Sequence, residues 1–376
     1  MRKFRICAPA CLLLATVCGA QTSVPARNVI VYKEAGRFAG WPANHGMWSW
    51  GNEILVGFEA GYFKFSERSH SIDYTKPAEH VLARSLDGGE TWKIEKPEGL
   101  KPPPGYRQAG VPTEAGLPMK DCPGGLDFTA PGFALTARMN DIHAGESRFY
   151  YSYDKGKTWE GPFRLPNFGQ PGIAARTDYL VNGRHDMTML LTAAKSNKRE
   201  GRVICVRTRD GAKTWTLEGF VGPEPPETDF AIMPSSVRMS KSTIYTAVRH
   251  RTYIDSYVSS DDGKTWTFVN KPAPDTGRGN PPSLIKLRDG RLAVTYGYRA
   301  APFGIRARLS SDSGKTWGEE IILRGDGGVW DLGYPRSAQR PDGKIVTVYY
   351  YNDAADQERY IGATIWDPGK GSGTAK

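Results

Sequence analysis

The chain has 376 residues, with 50 Lys and Arg against 40 Asp and Glu, a formal charge of +10. Hydrophobic residues make up 39% and charged residues 24%, the balance of a globular chain with a packed core and not of a disordered one. The single long apolar run is N-terminal, which excludes an internal membrane span, and 43 Gly, 27 Pro and 18 Tyr favour turns and aromatic strands over the helices of a coiled coil.

Met1-Arg2-Lys3-Phe4-Arg5 is a positive segment, an apolar stretch follows over 6–17, and Cys18-Gly19-Ala20 supplies small residues ahead of Gln21. This pattern predicts a signal peptide over 1–20 and a secreted or periplasmic mature chain over 21–376 that forms a single domain. Val17 is bulky where a lipoprotein signal carries a small residue, which disfavours lipidation at Cys18. Without the leader the charge falls to about +7, scattered among turns and not gathered in a tract. That distribution argues against nucleic acid and for an anionic glycan as partner. Cys122 and Cys205 remain and would pair in an oxidising compartment only if the fold brought them together. No zinc motif is present, the histidines lack metal-ligand spacing, and no cofactor is expected.

Further on comes a Trp-rich stretch, Gly40-Trp-Pro-Ala-Asn-His-Gly-Met-Trp-Ser-Trp50, and then a polar loop over 66–75 that holds Asp73. Strand-like runs lie at 79–84, 243–249, 291–298, 304–309 and 344–350. A Pro- and Gly-rich insertion over 97–131 reads as a loop over the rim of a site. Five segments share one pattern: Ser85-Leu-Asp-Gly-Gly-Glu-Thr-Trp92, Ser152-Tyr-Asp-Lys-Gly-Lys-Thr-Trp159, Thr208-Arg-Asp-Gly-Ala-Lys-Thr-Trp215, Ser259-Ser-Asp-Asp-Gly-Lys-Thr-Trp266 and Ser310-Ser-Asp-Ser-Gly-Lys-Thr-Trp317. Their aspartates are 67, 56, 51 and 51 positions apart. The Asp can accept backbone N–H bonds across its own turn, the Gly supplies an unusual φ, and the Trp packs back under the hairpin.

A unit of about 50 residues fits a four-stranded propeller blade. Five boxed units and a last unit over 329–366, closed by N-terminal residues 29–33, predict an all-β, six-bladed β-propeller. The segments resemble the Asp-box (BNR) repeats of the sialidase superfamily over nearly all the mature chain. The boxed residues themselves are read as structural, because such boxes lie on the blade rim and also occur in non-catalytic propellers.

The resemblance implies a site at one mouth of the ring, with a tyrosine nucleophile and glutamate partner, an aspartate acid/base and three arginines for a substrate carboxylate. A neutral nucleophile suits an anionic sugar, which would repel a carboxylate, and guanidinium forks match a carboxylate in shape and charge. Tyr334, in Asp331-Leu-Gly-Tyr-Pro-Arg336, takes the nucleophile's position, and Asp73 the acid/base position, twelve residues before the first box. Arg249 looks like the second arginine and Arg299 the third, with Arg306 as its fallback and Arg336 close to the nucleophile. Two parts depart from the family. The first arginine motif is replaced by the stretch holding Asn44 and His45, and residues 232–237 carry no acid, leaving Glu227 or Asp229 to substitute. His45, able to act as acid or base, opens a second possibility: a uronate-directed lyase using His45 and Tyr334 with the arginines. Arg176-Thr-Asp-Tyr179 and Asp127-Phe-Thr-Ala-Pro131 are also placed in loops that can face the mouth.

The expectation is a monomeric, secreted exo-glycosidase of the sialidase type, removing a terminal acidic sugar by a retaining mechanism with Tyr334 and Asp73. A lyase or a non-catalytic glycan-binding propeller are the alternatives.

Overall fold

The computed structural model describes residues 22–106, 112 and 114–369, so the proposed leader over 1–20 lies outside the described residues. Six separate sheets, antiparallel except where Thr22–Ser23 adds in parallel to Ile321–Arg324, follow one another along the chain as the blades of a propeller. Blade 1 runs from Arg37–Gly40 to Lys93–Glu95, blade 2 from Ala134–Met139 to Glu160–Leu165, and blade 3 from Ile173–Ala174 to Thr216–Val221. Blade 4 runs from Ile232–Arg238 to Thr267–Ala273, and blade 5 from Ser283–Lys286 to Ile321–Arg324. Blade 6 joins Gly333–Gln339, Ile345–Tyr351 and Tyr360–Trp366 to the N-terminal strand Ala26–Tyr32. That last pairing, in register from Ala26 opposite Trp366 to Tyr32 opposite Ile361, closes the ring.

Burial follows the radial position of a strand. Ile345–Tyr351 and Tyr360–Trp366 are buried along their whole length, because blades flank them on both faces. They accordingly read as continuous apolar runs. The outer strand Thr267–Ala273 is mostly exposed or half-buried. The apolar residues collect between neighbouring blades: Val346, Val348 and Ile361 of blade 6 pack on Phe38, Ile54 and Val56 of blade 1, and Tyr349 and Trp366 pack on Ile305 and Ala307 of blade 5.

The boxes explain their own spelling. In each, the aspartate accepts the Thr N–H at 2.9 Å while the Thr hydroxyl bonds its other oxygen, as in Asp261 with Thr265 and Asp312 with Thr316. The residue after the aspartate is left-handed whatever its type (Lys155 at φ 60°, Asp262 at 64°, Ser313 at 63°), and so is the next one. That next position is glycine in four boxes for a second reason, which is contact with the preceding blade. A Cβ on Gly263 would stand 2.4 Å from Cys205 Sγ, and one on Gly314 would stand 2.4 Å from the Tyr245 ring. The exception is Ala212 in the third box, held at φ 70°.

Blade 2 has three strands, and the insertion accounts for it. Lys120 bridges in parallel to Phe163 of the outermost strand, and Leu126 and Phe128 enter the core between blades 2 and 3. The described part of the insertion therefore packs on the blade's outer side and not over the rim of the site. Cys122 and Cys205 are both buried and unpaired. No helix of the described residues is long and apolar enough to cross a membrane.

All five box carboxylates are pulled below their ordinary value, Asp261 and Asp312 to about 2, chiefly by the threonine hydroxyl and then its amide. A depressed carboxylate contributes stability above its unfolded value, near 4, and loses it as pH falls through the folded value. The thermal midpoint should therefore drop steeply between about pH 4 and 2. Asp312→Asn should lower it at neutral pH and approach wild type at pH 2; parallel profiles of the two proteins would contradict this account.

Candidate active site

The inner strand of blade 1 is broken where the sequence reads Trp41-Pro-Ala-Asn-His-Gly46. Trp41 is left-handed at φ 61°, Pro42 opens a single helical turn over Pro42–His45, and Gly46 at φ 109° ends it. Proline suits a first helical position because its missing N–H would have had no partner there. This turn plugs the ring. Its carbonyls are satisfied from other blades: Asn44 O by Arg138 Nη1 at 2.9 Å, and His45 O by the Thr136 and Thr177 hydroxyls, both at 2.8 Å. Past Gly46 lies a polar recess of about 290 Å³, lined by Ser235, Ser236, Ser283, Asp178 and Arg336. Against Trp41 and Asn44 lies a larger cleft of about 430 Å³.

Tyr334 forms part of that cleft, and the chain bends sharply to put it there. Gly333 has φ 103°, and a Cβ on it would stand 2.4 Å from the Asn280 amide. Tyr334 follows in the left-handed region at φ 51°, although the residue before a proline ordinarily prefers extended backbone. Buried Asn280 holds the bend, accepting from Tyr334 N at 2.9 Å and Gly297 N at 3.0 Å while donating to Leu332 O at 2.9 Å. A non-glycine residue kept in this region is a form of stored strain that clusters at functional sites.

Arg249 Nη1 donates to the Tyr334 hydroxyl at 2.9 Å, and the guanidinium carbons of Arg249 and Arg299 stand 5.5 and 5.2 Å from the ring centre. Burial pushes the phenol up, but the charges of Arg249, Arg299 and Arg176, with the Arg249 hydrogen bond, carry it below the ordinary tyrosine value. Arg249 and Arg176 both line the cleft, and each has a buried Nε with no hydrogen-bond partner among the described residues. Arg176 is not free of counter-charge, since its Nη2 meets Glu200 Oε2 at 3.1 Å. The remaining walls combine apolar Met139, Ile142, Phe230 and Ile232 with polar Asn140 and Asp141, and the Asp141 carboxylate accepts from His143 N at 2.7 Å and Ala144 N at 3.0 Å.

The loop over 66–75 hangs beside the cleft but presents residues other than the expected one. His70 and Tyr74 line the cleft and Asp73 does not. The Asp73 carboxylate turns back to accept the Thr75 N–H at 3.0 Å and hydroxyl at 2.6 Å, bonds that hold it below its ordinary value, the wrong direction for a proton donor. His70 Nδ1 sits 2.5 Å from Asp331 Oδ1. Asp331 is fully buried and also receives the Tyr350 hydroxyl at 2.6 Å, Arg359 Nε at 3.1 Å and Ser71 N at 3.0 Å. Burial alone would raise it, but His70, Arg359 and Arg299 together hold it well below the usual carboxylate range.

Of the other expected residues, Tyr334 and Arg249 come together in the cleft and the rest are placed elsewhere. The His45 side chain, at the end of the plug, is buried and outside the cleft lining, with Nδ1 at 2.6 Å from Arg138 Nη2, and burial, Arg138 and His80 depress its proton affinity. Arg299 lies behind Tyr334, its nitrogens spent on Leu332 O, Gly279 O and the Tyr350 hydroxyl. Arg306 is buried in the body of blade 5, bonding Arg324 O at 2.8 Å and Pro302 O at 2.9 Å. Asp229 accepts from Phe230 N at 2.8 Å and the Tyr253 hydroxyl at 3.1 Å, away from Tyr334. Arg336 lies on the recess side, donating to the carbonyls of Ala43 and Thr177. Asp127 pairs with Arg184 at 3.1 Å outside the cleft. His70, Tyr74 and Glu200 carry no motif, and their one signal in the sequence is the polar loop that holds the first two.

Residues 133–347 match the BNR repeat-like domain family, and the chain belongs to it. Its fold is that of the propeller glycosidases. It is similar to a protein of unknown function from Dyadobacter fermentans, at 21% identity and a TM-score of 0.69 over 91% of this chain and 99% of that one. It is also similar to the NanB sialidase of Streptococcus pneumoniae, at 12% identity and a TM-score of 0.57 over 90% of this chain and 70% of that one. A Penicillium chrysogenum α-L-arabinanase is similar at 14% identity and a TM-score of 0.56, over 90% and 97% of the two chains. No curated protein sequence gives a significant match.

Because Arg249 is a leading cause of the low phenol value, its neutral replacement should raise it. In a titration followed at 295 nm, the difference between wild type and Tyr334→Phe should contain a phenol ionising below the ordinary value of about 10. In Arg249→Gln that component should move upward; an unmoved component would remove Arg249 as the cause.

Proposed function

We propose that this chain is an exo-glycosidase that removes a terminal acidic sugar, sialic acid or a relative, by a retaining mechanism with Tyr334 as nucleophile. The observation that carries this reading is the Tyr334 hydroxyl held at 2.9 Å by Arg249 in a cleft that Arg176 also lines. A phenol is a weak nucleophile at neutral pH and needs either a base or a field that favours its anion. No carboxylate bonds the Tyr334 hydroxyl among the described residues, and three arginines supply the field instead. Attack on the anomeric carbon gives an aryl glycoside of the enzyme, which water then hydrolyses with retention. Arg249 and Arg176 each have an unpartnered buried Nε–H donor among the described residues, which favours an anionic group on the sugar.

One observation favours a second reading, a neutral pentosyl sugar of the kind an arabinanase cleaves. Glu200 offsets the charge of Arg176 inside the cleft, so the site is less cationic than a three-arginine clamp. A lyase built on His45 has no support, since that side chain is buried away from the cleft.

Product analysis on α-sialosides, uronate-containing oligosaccharides and arabinosides decides among these. Release of the free acidic sugar is expected, with kcat/KM reduced roughly thousand-fold or more in Tyr334→Phe and about a hundred-fold in Arg249→Gln. Arabinose as the sole product would replace the substrate class. An unsaturated uronate would overturn hydrolysis, and binding without release would leave a glycan-binding propeller.

A further inference from the structure

A retaining glycosidase needs a second group, one that protonates the departing oxygen and later activates water. Asp73 faces Thr75 and not the cleft, Glu200 is engaged by Arg176, and Asp141 Oδ1 is taken up by the amides of His143 and Ala144, so none of these carboxylates is set up for the role. We propose that His70, oriented by Asp331, is the catalytic acid/base of this cleft; the proposal rests on the hydrolase reading above.

The geometry is that of a carboxylate–histidine pair. The Trp41 indole and the Tyr350 hydroxyl also approach His70 Nδ1, each at 3.4 Å, but the 2.5 Å contact with Asp331 Oδ1 is far shorter and determines the tautomer. Nδ1 carries the proton and donates it to the carboxylate. No protein hydrogen bond occupies Nε2 among the described residues, and the ring is a quarter exposed in a cleft-lining position. Four donors on Asp331, from three separate segments of chain, fix the carboxylate and through it the imidazole. Trp41, 5.0 Å away and edge-on, supports the ring from the plug. The His70 and Tyr334 rings face each other edge to face with centres 6.1 Å apart, so one sugar residue can meet both.

The protons balance without any further group. Phenol with neutral imidazole and phenolate with imidazolium have the same number of protons, so transfer between the two groups neither adds nor removes one, and Arg249 and Arg299 favour the phenolate. In the first step the Tyr334 oxygen bonds the anomeric carbon, the bond to the leaving oxygen breaks, and His70 Nε2 gives that oxygen its proton. In the second, water attacks the same carbon, His70 Nε2 takes the water's proton, and Tyr334 leaves as phenolate.

The test is a series of aryl and alkyl glycosides of the sugar that wild type cleaves, graded by acidity of the leaving group. In kcat/KM, which reports the first step alone, His70→Gln should lose roughly a hundred-fold or more on an alkyl leaving group and less than about ten-fold on nitrophenyl, which departs without a proton. Since both rates come from one preparation, misfolding would lower them equally and cannot imitate this split. Equal losses in His70→Gln, or the split in Glu200→Gln instead, would overturn the assignment while an inactive Tyr334→Phe kept the nucleophile. A split in His70→Gln with an active Tyr334→Phe would keep the dyad and sink the nucleophile. A wild type that cleaves no glycoside would overturn both.

Discussion

The pairing of Ala26–Tyr32 with Tyr360–Trp366 is the constraint on which the site depends. It joins the first and last described parts of the chain, and so places blade 6 against blade 1. Trp41 and His70 come from blade 1 and its loop, Asp331 and Tyr334 from the start of blade 6. His70 and Asp331 lie 261 positions apart in the sequence, and only closure of the ring makes them neighbours. The entropy of closing so long a loop grows slowly with its length, and a seven-residue ladder with an inter-blade core on each side can offset it.

Closure also sets the electrostatics. The cleft end of the ring gathers Arg176, Arg249 and Arg299 around one phenol, while Asp331 is walled in by Arg359, Tyr350 and His70. Burial disfavours both the phenolate and the carboxylate, and in each case the cationic neighbours outweigh it and favour the charged form. The left-handed backbone at Trp41, Met233 and Tyr334 places three inner-strand starts at the same mouth. Two of them are pinned from another blade: Met233 N by the Thr192 hydroxyl at 3.0 Å, Tyr334 N by Asn280 at 2.9 Å. The rigidity of the blades is what keeps these bends from relaxing.

The repeat made the architecture legible because each box is a local device. Its hydrogen bonds span four residues, its glycine answers a φ and a contact with the adjacent blade, and its spacing counts strands. Tyr334 and Arg249 were legible for a related reason, since each has a fixed place relative to a box. Arg306 and Arg299 occupy similar places, but their guanidiniums turn to backbone carbonyls nearby, a choice between partners that spacing does not encode. Asp73 and His70 show the limit most clearly. Both sit on one polar loop three residues apart, and the direction of the loop decides which faces the cleft.

From the sequence alone come the all-β class, the six blades, the closing N-terminal strand and the tyrosine after its glycine, because all of these are written in short-range turn chemistry and in period. The tertiary structure alone decided that residues 42–45 plug the ring, that the His45 side chain is buried against Arg138 and that His70 meets Asp331. Those outcomes depend on which side chains from distant blades compete for the same buried space and charge, and no local spacing carries that information.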